Sequence, residues 1–287
     1  MPASLGVRSL NYGAPVNGAA PLNRGLLAWW QVLPQRLGGS TLQDLTGRFP
    51  IALTGLGASS ATQGWGATRR PGGYGELRLN NDGGTVQGSA GPMLPLNSAP
   101  ALTLAGWATQ TTLNVREYLW TKYTSATVEW LLYTWTDAFF YVEFTSSIYT
   151  GFEYVSGVTA GGWYHLAVVF QGSGATNPDR IKIYVNGQPK SLIFAGTIPA
   201  VWPNVGTQPV LLGRHAGAST FPWHGAVDDW RIWLRALSAS EVMELYTTSR
   251  QGSPQQLNWL AWPPGWAGAV AAAPGAGIVR QMMQHAA

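Results

Sequence analysis

The 287-residue sequence predicts an all-β protein: a two-sheet antiparallel jelly-roll sandwich with extended N- and C-terminal arms. Three observations carry that expectation. Charged residues are only 10% of the chain, against 36 glycines, 19 prolines and an aromatic fraction of 12%, the balance of many turns joining strands with large side chains. Strand-like runs recur at spacings of roughly 8 to 15 residues, each bounded by turn residues. Helical periodicity is nearly absent between them.

Residues 1–24 are rich in Gly, Pro, Ala and Asn with scattered apolar residues, too few to bury a core of their own, and read as an arm. The domain is expected over 25–248. Its clearest runs are ALTLAGWA from Ala101, REYLWTKY from Arg116, VEWLLYTW from Val128, AFFYVEF from Ala138, WYHLAVVF from Trp163, RIKIYVNG from Arg180, PVLLGR from Pro209 and AVDDWRIW from Ala226. Asn186 and Gly187 both tolerate positive φ, which suits a type I′ turn between Ile181–Val185 and a returning strand over Lys190–Phe194. Ser238 followed by Glu241 forms a capping box, with Val242, Leu245 and Tyr246 at helical spacing behind it, predicting one or two turns of helix laid on the β domain. Residues 249–287 form a second arm, in which Trp259, Trp262 and Trp266 are the expected anchors on a partner surface.

Composition also narrows the partners. The net charge of +4 reflects a shortage of acids, and the densest basic cluster is Arg69 and Arg70, so no phosphate-binding stripe and no nucleic-acid partner is expected. No segment approaches the roughly 20 apolar residues of a membrane span, so no membrane insertion is expected. The first residues lack an apolar stretch behind a basic start and are not expected to act as a secretory signal. The absence of cysteine excludes disulfides and thiolate metal sites. Fifteen tryptophans exceed what packing needs, which places some of them on interaction surfaces.

The order and spacing of several stretches resemble the concanavalin A-like, laminin G-like jelly rolls. These are GLLAWW at Gly25, DLTGRFPIALTG at Asp44, RRPGGYGELRLNNDGGTVQ at Arg69, LTLAGWA at Leu102, GGWYHLAVVF at Gly161, IKIYVNGQP at Ile181, LLGRHAG at Leu211 and HGAVDDWRIWLRALSASEVMELY at His224. The resemblance implies two sheets of about six or seven strands, with a concave or rim surface used for ligands. Its members include lectin modules, adhesion domains, sugar hydrolases and virion proteins, and fold does not choose among these. It also implies a possible calcium cofactor, for which Asp44 and Asp228 stand at contributing positions. Arg48 occupies the place of a usual neutral Asn, where a guanidinium can replace the ion.

Glycosidases of this superfamily carry acids two apart on one strand, where both face the cleft. None of the 13 acids here has another at that spacing; Asp228 and Asp229 are adjacent, hence on opposite faces, and Glu143 stands alone. No serine-hydrolase elbow, zinc-protease helix or phosphate loop is present. If the face holding Ala226, Asp228, Trp230 and Ile232 is the core, Asp228 is a buried carboxylate that needs hydrogen bonds, an arginine or a metal. His215 and His224 precede the aspartate pair, but loop histidines on a Trp-rich surface are the commoner reading.

For a glycan, the candidates are the loop residues Trp202, Trp223 and His224 with Arg214, ahead of the strand aromatics Tyr118, Trp120, Trp130, Tyr133, Trp135, Phe140 and Tyr141. The expected function is a non-catalytic structural or binding protein at a virion or extracellular surface. It would be a bacteriophage head decoration, a fibre-like component or another assembly protein, tied to itself or to other subunits through both arms and contacting cell-surface glycans. A stand-alone lectin module is the alternative, and a glycoside hydrolase the third reading.

Overall fold

The computed structural model describes residues 20–32, 39–56, 64–66, 70–73, 75–79, 86–125, 128–153, 157–216 and 221–251. The strands are β1 (Leu26–Trp30), β2 (Thr41–Leu42), β3 (Ile51–Thr54), β4 (Gly64–Gly66), β5 (Glu76–Leu79), β6 (Gln87–Ser89), β7 (Ala101–Gln110), β8 (Glu117–Ser125) and β9 (Val128–Thr134). They continue as β10 (Phe139–Thr145), β11 (Ile148–Glu153), β12 (Tyr164–Gln171), β13 (Ile181–Val185), β14 (Gln188–Pro189), β15 (Ile193–Ala195), β16 (Leu211–Leu212) and β17 (Gly225–Trp233). A short α1 (Asn177–Arg180) precedes β13, and α2 (Ala239–Gln251) closes the described chain.

Two antiparallel sheets face each other. The first runs β14-β13-β12-β7-β17-β5-β4, with β1 also paired to β17; the second runs β15-β11-β10-β9-β8-β16-β6-β3-β2. Each of the eight expected runs contains a strand. Between the sheets lies the main core, to which Leu102, Leu104 and Ala108 of β7, Leu166, Val168 and Phe170 of β12, Trp130 and Leu132 of β9, and Phe140, Val142 and Phe144 of β10 each contribute one face of a pleat. Gly106 is required here: a Cβ would lie 2.4 Å from the Trp230 ring, so only glycine lets that indole cross β7.

Two local expectations change. Asn186 and Gly187 take positive φ (53° and 77°) and join β13 to β14 as the turn requires. The return pairing stops at Pro189, however, and β15 pairs with β11 in the opposite sheet. One further hydrogen bond, from Lys190 N–H to the Ile183 carbonyl (2.9 Å), follows before the chain crosses between the layers. The helix is longer than one or two turns, 13 residues, because Leu237, Val242 and Leu245 bury against Trp29, Ala105, Val169, Tyr184 and Trp233 on the outside of the first sheet. Its start is capped as read: Ser238 N–H donates to Glu241 (2.8 Å), and Glu241 N–H donates to Ser238 Oγ (3.3 Å).

The domain also reaches past both expected boundaries. Leu22 is buried and its carbonyl accepts the Trp233 indole N–H (2.5 Å), while the Arg235 guanidinium donates to the carbonyls of Pro21 and Arg24. At the other end Ser249 is fully buried. The remainder of the arms, with Trp259, Trp262 and Trp266, lies outside the described residues. No described helix is long and apolar enough to cross a membrane.

Candidate functional site

The aspartate pair departs from simple strand arithmetic. Asp229 has φ 54°, and the β17–β7 register shifts between Asp228 and Arg231, a bulge that resets the alternation. Val227, Trp230 and Ile232 therefore point into the main core. Asp228, Asp229, Arg231 and Trp233 gather instead on the outer side, beneath α2, so the two aspartates do not face opposite ways. Arg70 grips Asp228 through Nε (2.9 Å) and an η nitrogen (2.6 Å), with both side chains fully buried, and Val32 N–H donates to the second oxygen (2.9 Å). Burial raises the Asp228 carboxyl above its usual range, and Arg70 opposes that. Asp229 takes the Arg231 guanidinium (2.9–3.0 Å) and the Trp29 indole N–H (2.7 Å). Arg70 also donates to the Ser249 carbonyl (2.7 Å), tying the end of α2 to this layer.

These residues do not fit a calcium site. Asp44 accepts from the backbone N–H groups of Trp29, Thr46, Arg48 and Phe49 and from the Thr46 hydroxyl, which shapes its own loop. Asp228 is saturated by Arg70 and Val32. Among the described residues no three His, Asp or Glu side chains are grouped to hold a metal.

The loop candidates for sugar stacking are core residues. Trp202 and Trp223 are both 0% exposed. The Trp202 ring packs against Phe144 (5.0 Å), Phe170 (5.4 Å) and Trp130 (5.6 Å), because its loop is pulled inward by backbone hydrogen bonds with Ser98 and Ala99. The Trp223 indole donates to the Thr109 carbonyl (3.0 Å). Proline next to an aromatic marked a loop correctly but not its exposure. Among the described tryptophans only Trp135 and Trp163 are part-exposed. Arg214 is half-buried, with its carbonyl accepting from Thr121 Oγ1 (2.8 Å). His224, with a side chain 37% exposed, bonds through Nδ1 to Glu117 (2.6 Å). Glu117 is buried, which pushes its carboxyl up to about 7, against hydrogen bonds from Gln110 and His224.

What the fold does assemble is a groove of about 440 Å³ on the outer face of the second sheet, where β8, β9, β10 and β11 lie side by side. On β9 and β10 alternation sends Trp130, Leu132, Phe140 and Val142 inward and Glu129, Leu131, Tyr133, Tyr141 and Glu143 outward. Tyr118, Tyr133 and Tyr141 form a continuous floor, with neighbouring ring centroids 5.4 Å apart. Tyr149 meets Tyr141 edge-on (5.5 Å), and a Cβ at Gly151 would lie 2.8 Å from the Tyr141 ring, so glycine leaves that ring its place. Of the strand aromatics considered from sequence, Tyr118, Tyr133, Trp135 and Tyr141 line this groove, while Trp120, Trp130 and Phe140 belong to the core.

The polar lining is unusual. Glu129, only 3% exposed, and Glu143 on the neighbouring strand lie side by side in the groove; burial raises both carboxyls, and for Glu129 the Glu143 charge adds to it. Tyr133 Oη donates to Glu143 (2.5 Å), and Tyr141 Oη to Asp137 (2.6 Å). Arg116 hydrogen-bonds Tyr118 Oη and lies over Trp135 (4.3 Å) and Phe221 (4.8 Å). His215 packs on Tyr118 (4.7 Å) and Tyr123 (4.3 Å), and burial pushes its imidazole down to about 4, with Arg116 adding to the effect.

Sequence reasoning missed Glu129, Glu143, Arg116, Asp137, Tyr149 and His215 as members of one site. The signal lies in hairpin register: Tyr133 pairs with Tyr141 and Leu131 with Glu143, which sets Glu129 diagonally beside Glu143. The acids are thus neighbours across strands, not along one.

The chain belongs to the concanavalin A-like lectin/glucanases superfamily, whose family model matches residues 80–243. No curated protein sequence matches it. Among solved structures, domain 4 of AbnA, a GH43 extracellular arabinanase from Geobacillus stearothermophilus in complex with arabinotriose, is 20% identical with a TM-score of 0.55, over 77% of this chain and 98% of that domain. A structure concerned with entry of botulinum neurotoxin type C through two ganglioside molecules is 14% identical with a TM-score of 0.54, over 79% of this chain and 52% of that one. Trypanosoma rangeli sialidase with 2,3-difluorosialic acid is 14% identical with a TM-score of 0.50, over 78% of this chain and 33% of the sialidase. At these identities the likeness is one of fold.

Proposed function

We propose that this protein is a non-catalytic glycan-binding jelly roll whose site is the aromatic groove of the second sheet. The observation that carries the reading is the coincidence, in one 440 Å³ depression, of the part-exposed rings of Trp135 and Tyr149, a close-packed and largely buried tyrosine floor beside them, and a hydrogen-bonding rim. Sugar rings stack their C–H faces on such rings while the rim groups fix their hydroxyls. The arabinotriose and ganglioside named with two of the similar structures support a glycan as the ligand class.

The non-catalytic part rests on the carboxyl geometry. Retaining glycosidases hold their two carboxyls about 5–5.5 Å apart and inverting enzymes roughly 6.5–9.5 Å, leaving room for the anomeric carbon or a water. Glu129 and Glu143 instead stand side by side on adjacent strands of one wall of the groove, not flanking a bound sugar from opposite sides.

The setting proposed for the module is a virion or other assembly, as a head decoration or fibre-like component at the surface. Support comes from the composition of its terminal segments, Gly-, Pro- and Ala-rich with three tryptophans in the C-terminal one, which suits docking on neighbouring subunits. A full-length protein that stays monomeric by native mass measurement would reject this setting.

The binding reading is tested with full-length protein on a glycan array, followed by titration of the best ligand into Trp135→Ala. The expected outcome is about tenfold weaker binding with an unchanged melting temperature, the scale of one lost stacking partner. Absence of glycan binding, or full affinity in the variant, rejects the groove.

A further inference from the structure

Glu129 is a nearly buried acid that lines the groove, and the polar group beside it on the next strand is another acid, Glu143. Neither Glu129 nor Glu143 has a Lys, Arg or His within ion-pair distance among the described residues. The nearest guanidinium, Arg116, is committed to Tyr118 Oη and to the faces of Trp135 and Phe221, and acts on Glu143 only through its field. Among the described residues the titratable groups around the pair can be named. Arg116, Tyr118 and Tyr123 come from β8 and the residue before it; Tyr133 from β9; Asp137 and Tyr141 from β10 and the turn before it; Tyr149 from β11; and His215 from the loop after β16. Asp137 adds a third acid, and His215 is held neutral by its surroundings.

Apart from Arg116, which is taken up by Tyr118 Oη and by ring faces, the polar lining is acids and aromatic faces, and both attract a cation. Carboxylates do so by charge and aromatic faces by their quadrupole, more strongly where water is thinned. Arg116, lying over Trp135, already uses the wall in this way. Two partly buried carboxyls side by side keep a proton, since adjacent carboxylates repel and burial disfavours charge. An arriving ammonium would replace that proton as the counter-charge.

We propose that the groove selects glycans carrying a free amino group, an unacetylated amino sugar whose ammonium docks on the Glu129–Glu143 pair beside the tyrosine floor, and that it rejects acidic sugars. The proton between the two carboxyls leaves to solvent as the ammonium seats, with no bond made or broken in the sugar. This rests on the groove being the glycan site, and it distinguishes the chain from its sialidase and ganglioside-linked structural neighbours by charge.

Calorimetric titration of full-length protein at pH 6 with the glucosamine trimer, its fully N-acetylated counterpart and sialyllactose tests it. The expected order is glucosamine trimer tighter than the acetylated trimer by about tenfold, with no sialyllactose binding. About one proton should be released per amine ligand, read from the dependence of the heat on buffer. Glu129→Gln should abolish both the preference and the proton release, and Glu143→Gln serves if the first variant does not fold. Equal affinity for the two trimers, a preference that survives both substitutions, or sialyllactose binding best overturns the amine selectivity. If Trp135→Ala then still weakens whichever glycan does bind, the glycan site itself stands; if no glycan binds, both readings fall.

Discussion

On the outer face of the first sheet, Asp228 and Asp229 are each clasped by an arginine, and α2 closes over them with Ser249 completing the coordination of Arg70. On the outer face of the second sheet, Glu129 and Glu143 are just as much a part of the strand surface, yet they stand beside each other in an open groove with, among the described residues, no arginine between them. Both faces hold a pair of neighbouring acids on the strand surface. They differ in whether the chain itself supplies the cation. Where guanidinium and carboxylate match, the charge is spent on architecture; where the acids are left to share a proton, the missing partner can come from outside. Aspartates that draw the eye in the sequence thus belong to the closed face, and quieter glutamates belong to the open one.

That contrast is broken most directly at Arg70. Removing it leaves Asp228 buried without its cation, so Arg70→Ala should lose about 3–5 kcal/mol in denaturant unfolding. A loss below about 1 kcal/mol would mean that the closed face is not held by its ion pairs.

On β8 of the second sheet, Glu117 sharpens the comparison through pH. Its folded carboxyl sits at about 7 against an ordinary 4.5, so the folded state holds the proton more tightly than the unfolded chain. Its contribution to stability is complete below about pH 4.5 and is lost as pH rises to about 7, a change of roughly 3 kcal/mol over that window. Glu117→Gln should cancel that decline, so the difference in unfolding free energy between variant and parent should move in favour of the variant from pH 5 to pH 8. His165, buried and pushed down to about 3, acts oppositely between about pH 3 and 6.5. For that reason the parent–variant difference is the informative quantity. A difference that stays constant with pH would place Glu117 outside the set of strained acids.

The smallest effect is expected at the lid. Ser238→Ala removes the hydroxyl that receives Glu241 N–H, and should cost about 1 kcal/mol. Binding to the groove should be untouched, because α2 covers the opposite sheet. A change in glycan affinity would show that the two faces are coupled through the core.

Much of the frame was legible beforehand because strand periodicity, turn residues and the Ser238–Glu241 cap are local. Runs such as AFFYVEF alternate visibly, and the structure sorts them inward and outward accordingly. Trp202 and Trp223 misled because proline identifies a loop without saying whether that loop folds back over the core. Asp228 misled because a bulge moves every later residue to the other face, and the left-handed backbone of Asp229 that makes the bulge has no signature in an Asp-Asp pair. Of the groove, Tyr118, Tyr133, Trp135 and Tyr141 could be suspected, but the Glu129–Glu143 pair could not be seen as a pair without the β9–β10 register.

By itself, then, the sequence determined the fold class, the alternation of inward and outward residues on strands such as β9 and β10, and the helix cap, since each depends on neighbours within a few positions. Only the tertiary structure decided which acids meet arginine and which meet each other. That choice depends on strand register, on one bulge and on where α2 comes to rest, all of them set by contacts between residues far apart in the chain.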